Sequence, residues 1–186
     1  RIRHQKHCTS NIKIKGCVCE FGVWKGKTLN KISEEIPNKN VFGFDSFEGL
    51  PEPWYRSLDR KRHSKLGEFA LNAIPKFNDN VSLEVGLFEN SIPLWKQKNT
   101  EKIALIHIDS DLYSSATLIL NHLNERISKG TIMIFDELCD WENQGVYERW
   151  REGEAKALIE WVNNSNRKLK PLSRTNWIEG SFLVEK

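Results

Sequence analysis

The chain has 186 residues, of which 39% are apolar, 28% charged and 10% aromatic. That is enough core-forming material for one domain of ordinary size and too much for a disordered or low-complexity polypeptide. Its formal charge of +3, from 28 basic and 25 acidic residues, is too small and too dispersed for a dedicated nucleic-acid binder, and no apolar run approaches the roughly 20 residues of a membrane span.

In chain order, the basic segment 1–7 reads as solvated surface, as does 56–65 further on. A chain opening at Arg1 rather than Met reads as a processed piece or one domain of a longer polypeptide. Apolar runs predict strands over 16–21, 41–45, 81–86, 103–109, 131–136, 168–174 and 177–185, with helices over 27–36, 66–73, 112–127 and 147–163. Gly130 is a helix stop. The runs Ile-Ala-Leu-Ile-His-Ile and Thr-Ile-Met-Ile-Phe are continuous, as strands buried on both faces require. This alternation predicts an α/β fold with a parallel sheet flanked by helices. Cys8, Cys17, Cys19 and Cys139 lack Cys-x-x-Cys spacing, so neither a zinc site nor a disulfide framework is indicated and a reducing, cytoplasmic setting is expected. Cys17 and Cys19 alternate along the first strand and should share one packed face.

Open α/β sheets bind ligands beyond the carboxyl ends of their strands. Here those ends read Glu20-Phe21-Gly22, Asp45-Ser46, Gly86, Asp109-Ser110-Asp111 and Asp136-Glu137. The loop after the first strand places Gly22 and Gly26 four apart instead of the Gly-x-Gly-x-x-Gly of pyrophosphate binding. A carboxylate at Glu20 suits an ammonium or sulfonium ligand better than a phosphate. Asp45, 25 residues on, is placed to accept hydrogen bonds from ribose hydroxyls. Adenosine with a cationic tail points to S-adenosylmethionine; the alternative is an ordinary strand-to-helix turn with Asp45 capping a helix. Asp109, Asp136 and Glu137 form an oxygen-only cluster suited to Mg²⁺, with Asp111 nearby to take a proton; the alternative makes these carboxylates caps and loop acceptors.

The segments Glu-Phe-Gly-Val-Trp-Lys-Gly (20–26), Phe-Gly-Phe-Asp-Ser-Phe-Glu-Gly-Leu-Pro-Glu-Pro-Trp (42–54), His-Ile-Asp-Ser-Asp-Leu-Tyr (107–113) and Phe-Asp-Glu (135–137) occur in series. Together they resemble the macrocin O-methyltransferase family over about residues 16–165. The resemblance implies a Rossmann-like class I methyltransferase with a seven-stranded sheet, its last strand antiparallel and helices on both faces. It also implies methyl transfer from S-adenosylmethionine to a sugar hydroxyl, generally with Mg²⁺. The acceptor would be a deoxyhexose such as rhamnose, free, nucleotide-linked or in a glycan, and a homodimer is a common family state.

Carried over by position, Glu20, Gly22 and Gly26 would line the methionine end of the cofactor. Asp45 and Ser46 would meet the ribose, and Gly86 and Phe88 the adenine. Asp109, Asp136 and Glu137 would hold the metal, Asp111 would be the general base, and Tyr113 and Trp141 would lie near the acceptor. Glu137 replaces the family's usual second aspartate, the N-terminal portion is short and the 146–154 segment is altered, which predicts an open acceptor pocket. Segment 50–67 reads as a mobile cover with Trp54 in it, His107 as a hydrogen-bonded core residue, and Trp150, Trp161 and Trp177 as packing. Competing readings are a catechol or phenol O-methyltransferase, a glycosyltransferase using the Asp-x-Asp, and a non-catalytic nucleoside-binding module.

Overall fold

The computed structural model describes residues 2–186. In chain order the elements are α1 (Ile2–Ser10), β1 (Cys17–Phe21), α2 (Lys27–Glu35), β2 (Val41–Asp45), the short strands β3 (Trp54–Tyr55) and β4 (His63–Ser64), β5 (Val81–Val85) and α3 (Phe88–Lys98). They continue with β6 (Ile103–Ile108), α4 (Tyr113–Leu123), β7 (Ile132–Phe135), α5 (Glu154–Ser165), β8 (Leu169–Arg174) and β9 (Gly180–Val184). Seven strands form one sheet in the order β5-β2-β1-β6-β7-β9-β8. The paired strands from β5 to β7 are parallel, and β9 runs antiparallel to both of its neighbours. This is the Rossmann-like α/β arrangement expected from the sequence.

Period-two alternation divides the core into two layers. Cys17, Cys19 and Phe21 of β1 join Met133 and Phe135 of β7 in the cluster that packs under α3, α4 and α5. Val18, Ile132 and Ile134 point the other way, toward Leu29 and Ile32 of α2 and Cys8 of α1. The Cys17 and Cys19 sulfurs lie 3.9 Å apart on their shared face. Phe21 stacks on Phe44 with ring centroids 4.4 Å apart, tying β1 to β2. The chain steps from β1 outward to β2 and β5 on one side, and to β6 and β7 on the other. The crevice at that reversal opens at the carboxyl ends of β1 and β6.

Three local expectations are corrected. Segment 66–73 forms turns rather than a helix, because Gly67 and Phe69 adopt left-handed backbone with φ of 76° and 73°. Its backbone is drawn instead into bonds with Leu50 and Phe47. The basic N-terminal segment is helical from Ile2 and buries His4, Gln5, Cys8 and Thr9. The last long helix begins at Glu154 rather than Tyr147, since residues 147–152 form turns and a single 3-10 turn ahead of Gly153.

Candidate active site

A cavity of about 720 Å³ lies over the carboxyl ends of β1, β2, β5, β6 and β7, within the size range of small-molecule sites. Three loops beneath it each hold a non-glycine residue in left-handed backbone: Trp24 (φ 46°) after β1, Phe47 (φ 58°) after β2 and Asp111 (φ 62°) after β6. Such conformations cost about 1–3 kcal/mol each and concentrate where a site dictates loop shape.

One end of the cavity is built from Gly22, Asp45, Ser46, Gly86 and Phe88. Gly22 has φ 87°, and a Cβ there would overlap the Asp109 carbonyl oxygen, so the loops after β1 and β6 touch through a glycine. Asp45 shapes the same floor: its Oδ2 accepts the backbone N–H groups of Val23 and Trp24 at 2.8 and 2.7 Å, and its Oδ1 that of Phe47 at 2.7 Å. Phe88 opens α3 and packs edge-on against Phe21. Nothing lies within 4 Å of a Cβ built on Gly86, which leaves the adjacent space clear for a flat ring.

Two of the expected residues at this end lie elsewhere. Gly26 is buried against the Phe77 ring and does not line the cavity. Glu20 is fully buried in β1, its Oε2 accepting a hydrogen bond from His107 Nδ1 at 3.0 Å. Register explains this contact, because Glu20 pairs directly with His107 across β1 and β6.

The other end is acidic, with Asp109, Asp111, Asp136 and Glu137 lining it. His107 Nε2 lies 3.6 Å from Asp136 Oδ1. Burial disfavours its imidazolium, yet the neighbouring Asp136 and Glu20 carboxylates prevail and hold His107 well above the usual histidine range. Burial, then the charges of Asp136, Asp111 and Asp109, push the Glu137 carboxyl well above the carboxylate range.

Ligand atoms of His107, Asp109 and Asp136 come within 4.8 Å of one another. Glu137 stands outside that trio, and its Oε2 is buried without a hydrogen-bond partner among the described residues. Clustered carboxylates with an unmatched buried oxygen fit a hard divalent cation. His107, engaged with Glu20, then backs Asp136 from behind.

Sequence reasoning missed Glu154. Fully buried in the first turn of α5, it accepts the Ser110 backbone N–H and hydroxyl through Oε1 at 3.1 and 3.2 Å, and the Glu137 N–H through Oε2 at 3.2 Å. It thereby joins the two acidic loops. Burial pushes its carboxyl up to about 8 against the pull of those amides.

Of the 50–67 segment expected as a cover, Leu50, Pro51, Glu52, Trp54 and Arg56 line the cavity. Leu50, Trp54, Leu112, Tyr147 and Ile178 make one hydrophobic cluster, and Trp54 Nε1 donates to the Tyr147 hydroxyl at 3.3 Å. Tyr113 and Trp141 lie outside the cavity: the Tyr113 hydroxyl donates to Glu160 of α5, and Trp141 Nε1 donates to the Glu179 carbonyl beneath Arg174. Trp177, read as packing, is instead 56% exposed and lines the cavity mouth.

The sequence matches the family described as Macrocin-O-methyltransferase (TylF) over residues 1–163. The chain belongs to this macrocin-O-methyltransferase family. Among curated relatives, the 8-demethyl-8-(2,3-dimethoxy-alpha-L-rhamnosyl)-tetracenomycin-C 4'-O-methyltransferase of Streptomyces olivaceus is 27% identical over 158 residues, covering 74% of this chain and 59% of that protein. The mycinamicin III 3''-O-methyltransferase of Micromonospora griseorubida is 23% identical, covering 75% and 63%. The chain thus spans about six-tenths of the length of these curated relatives. Of solved structures, the calicheamicin methyltransferase CalS11 superimposes with a TM-score of 0.73 at 20% identity over 98% of this chain and 77% of that one. The O-methyltransferase NovP gives 0.67 at 18% identity over 100% and 80%. At these identities the superpositions establish the shared fold.

Proposed function

We propose that the chain transfers a methyl group from S-adenosylmethionine to a hydroxyl of a sugar, a deoxyhexose such as rhamnose, with a divalent metal ion assisting. The observation that carries this reading is one cavity with a floor of Gly22, Asp45, Ser46, Gly86 and Phe88 at one end and an acidic group of Asp109, Asp111 and Asp136 at the other. The names of the Streptomyces and Micromonospora relatives, both sugar O-methyltransferases, support the acceptor class. A neighbouring mycinamycin-pathway methyltransferase, MycE, was solved in complex with Mg and S-adenosylhomocysteine, which supports the metal.

In this reading Asp45 keeps one acceptor site, on Oδ1, for a ribose hydroxyl while its bonds to Val23, Trp24 and Phe47 hold the loop that passes beneath the ribose. Phe88 and the clear space above Gly86 receive the adenine. Asp109, Asp136 and Glu137 would hold the metal, which when bound lowers the pKa of a coordinated hydroxyl. Asp111 accepts the proton of the acceptor hydroxyl, a contribution typically worth about 10²–10⁴ in rate. Its turn, closed by the Leu112 N–H donating to the Ser110 carbonyl at 2.6 Å, directs the side chain into the cavity. Trp54, Tyr147 and Trp177 wall the acceptor end, where an exposed indole suits the apolar face of a sugar ring. Excluding water there favours in-line attack on the sulfonium methyl.

Calorimetric titration with S-adenosylhomocysteine, with and without Mg²⁺, followed by a radiolabelled methyl-transfer screen against deoxysugars and catechols, tests the reading. Micromolar binding and transfer to a deoxysugar are expected. Transfer to catechols alone, or no binding by folded protein, overturns it.

A further inference from the structure

We infer that Arg56 forms an anion subsite at the acceptor end of the cavity, so that the sugar methylated there carries a phosphoryl or carboxyl group. The inference rests on the methyltransferase reading above and narrows its acceptor. Arg56 follows β3 and is held at both backbone groups: its N–H donates to the Arg62 carbonyl at 2.8 Å, and its carbonyl accepts from Arg149 N–H at 3.3 Å. The guanidinium lies over the Trp54 indole, 4.8 Å from the ring centre, and Trp54 is itself fixed by Tyr147. Arg56 therefore presents a rigid cation to the cavity that it lines.

That cation is unmatched. Nearby, Arg62 pairs with Glu148 at 3.5 Å and Arg149 pairs with Glu152. Arg56 makes no ion pair among the described residues, and its Nε is buried without a hydrogen-bond partner among them. A buried donor left unsatisfied is costly, and a stacking contact with indole leaves the in-plane N–H groups unused. The lysine nearest the cofactor loop, Lys25, lies over Trp24 instead, 4.2 Å from its ring centre. A planar guanidinium with free donors matches two oxygens of a phosphoryl or carboxyl group better than the single hydroxyls of a neutral sugar.

The test compares kcat/KM for three acceptors bearing the same deoxyhexose: a nucleoside-diphosphate sugar, a disaccharide ending in a uronic acid, and a neutral methyl glycoside. The wild-type chain should favour one charged acceptor over the neutral one by about 10- to 100-fold, the range of one charge-assisted hydrogen-bonded pair. Which charged acceptor wins identifies the anion. Arg56→Gln should bring that ratio to about 1, mainly through KM, and Arg56→Lys should restore part of it, as charge without the fork. S-adenosylhomocysteine affinity should change less than about twofold in both variants, which also reports that they are folded. A wild-type preference for the neutral glycoside overturns the subsite while leaving the methyltransferase reading intact. A large loss of S-adenosylhomocysteine affinity in Arg56→Gln that Arg56→Lys restores also overturns it, by assigning Arg56 to the cofactor carboxylate. Absence of both S-adenosylhomocysteine binding and transfer to any sugar fails the methyltransferase reading itself.

Discussion

Glu154 grips Ser110 twice, one carboxylate oxygen accepting both its backbone N–H and its hydroxyl. The second oxygen holds the Glu137 amide, so a residue on α5 sets the spacing of two strand-end loops. Glu154→Ala leaves these buried donors unsatisfied and should cost about 2–4 kcal/mol in chemical denaturation. Glu154→Gln keeps the acceptor for Ser110 but turns an N–H toward another N–H at Glu137, and should cost about half as much. Because burial raises the folded carboxyl to about 8, above its unfolded value, the wild-type contribution is lost as pH rises through 8. The gap between wild type and Glu154→Gln should therefore narrow progressively from about pH 4.5 to about pH 8 and change little above it.

Gly22→Ala should remove S-adenosylhomocysteine binding measured by calorimetry. The added methyl has no room against the Asp109 carbonyl, and φ 87° disfavours it independently. A variant that binds normally would show that the loops after β1 and β6 separate without consequence.

Asp111→Asn is the cleanest test of the base. Asn tolerates left-handed backbone as Asp does, so the turn at φ 62° survives while the proton acceptor is lost. Methyl transfer should fall by about 10²- to 10⁴-fold with cofactor affinity nearly unchanged. Asp111→Ala adds backbone strain and should also reduce stability by about 1 kcal/mol.

Chelation should separate the two ends of the cavity. Prolonged treatment with EDTA is expected to suppress methyl transfer and spare S-adenosylhomocysteine binding, with Mg²⁺ restoring turnover. In Asp136→Asn, Mg²⁺ should restore little, since that residue belongs to the converging group of ligand atoms.

His4 sets an acid limit. Burial, then the charge of His107, lowers it to about 4, and its Nε2 lies 3.0 Å from the Ser181 hydroxyl. An unfolded histidine takes up its proton near pH 6.5, so the unfolded state gains as pH falls from there toward 4. Urea midpoints of the wild type should drop more steeply across that window than those of His4→Gln.

The central strands were legible because burial on both faces writes itself as continuous apolar runs, as in Ile103–Ile108 and Ile132–Phe135; all seven sheet strands lie within their expected spans, although the edge strands β5 and β8 are only partly buried. The helix α1 was hidden because its buried face is His4, Gln5, Cys8 and Thr9, residues without an apolar period. The helix α3 was missed too, and it carries Pro93 within it. In the site, the strand-end rule found Asp45, Ser46, Asp109, Asp111 and Asp136, which do line one cavity. It carries no information on contacts made from distant segments, so Glu154, Arg56 and Trp177 escaped it. Conversely, Tyr113 and Trp141 sit next to motif residues in sequence yet turn toward Glu160 and Glu179.

The two ends of the cavity are completed at different points along the polypeptide. The floor uses residues between Gly22 and Phe88, whereas the opposite wall needs Trp177 and Ile178, delivered only when β9 slots in between β7 and β8. Both of these residues follow every floor residue in the chain. During synthesis the nucleoside floor can therefore take shape while the acidic loops still lack their wall, and a nascent or truncated chain would engage the methyl donor before it could shelter an acceptor.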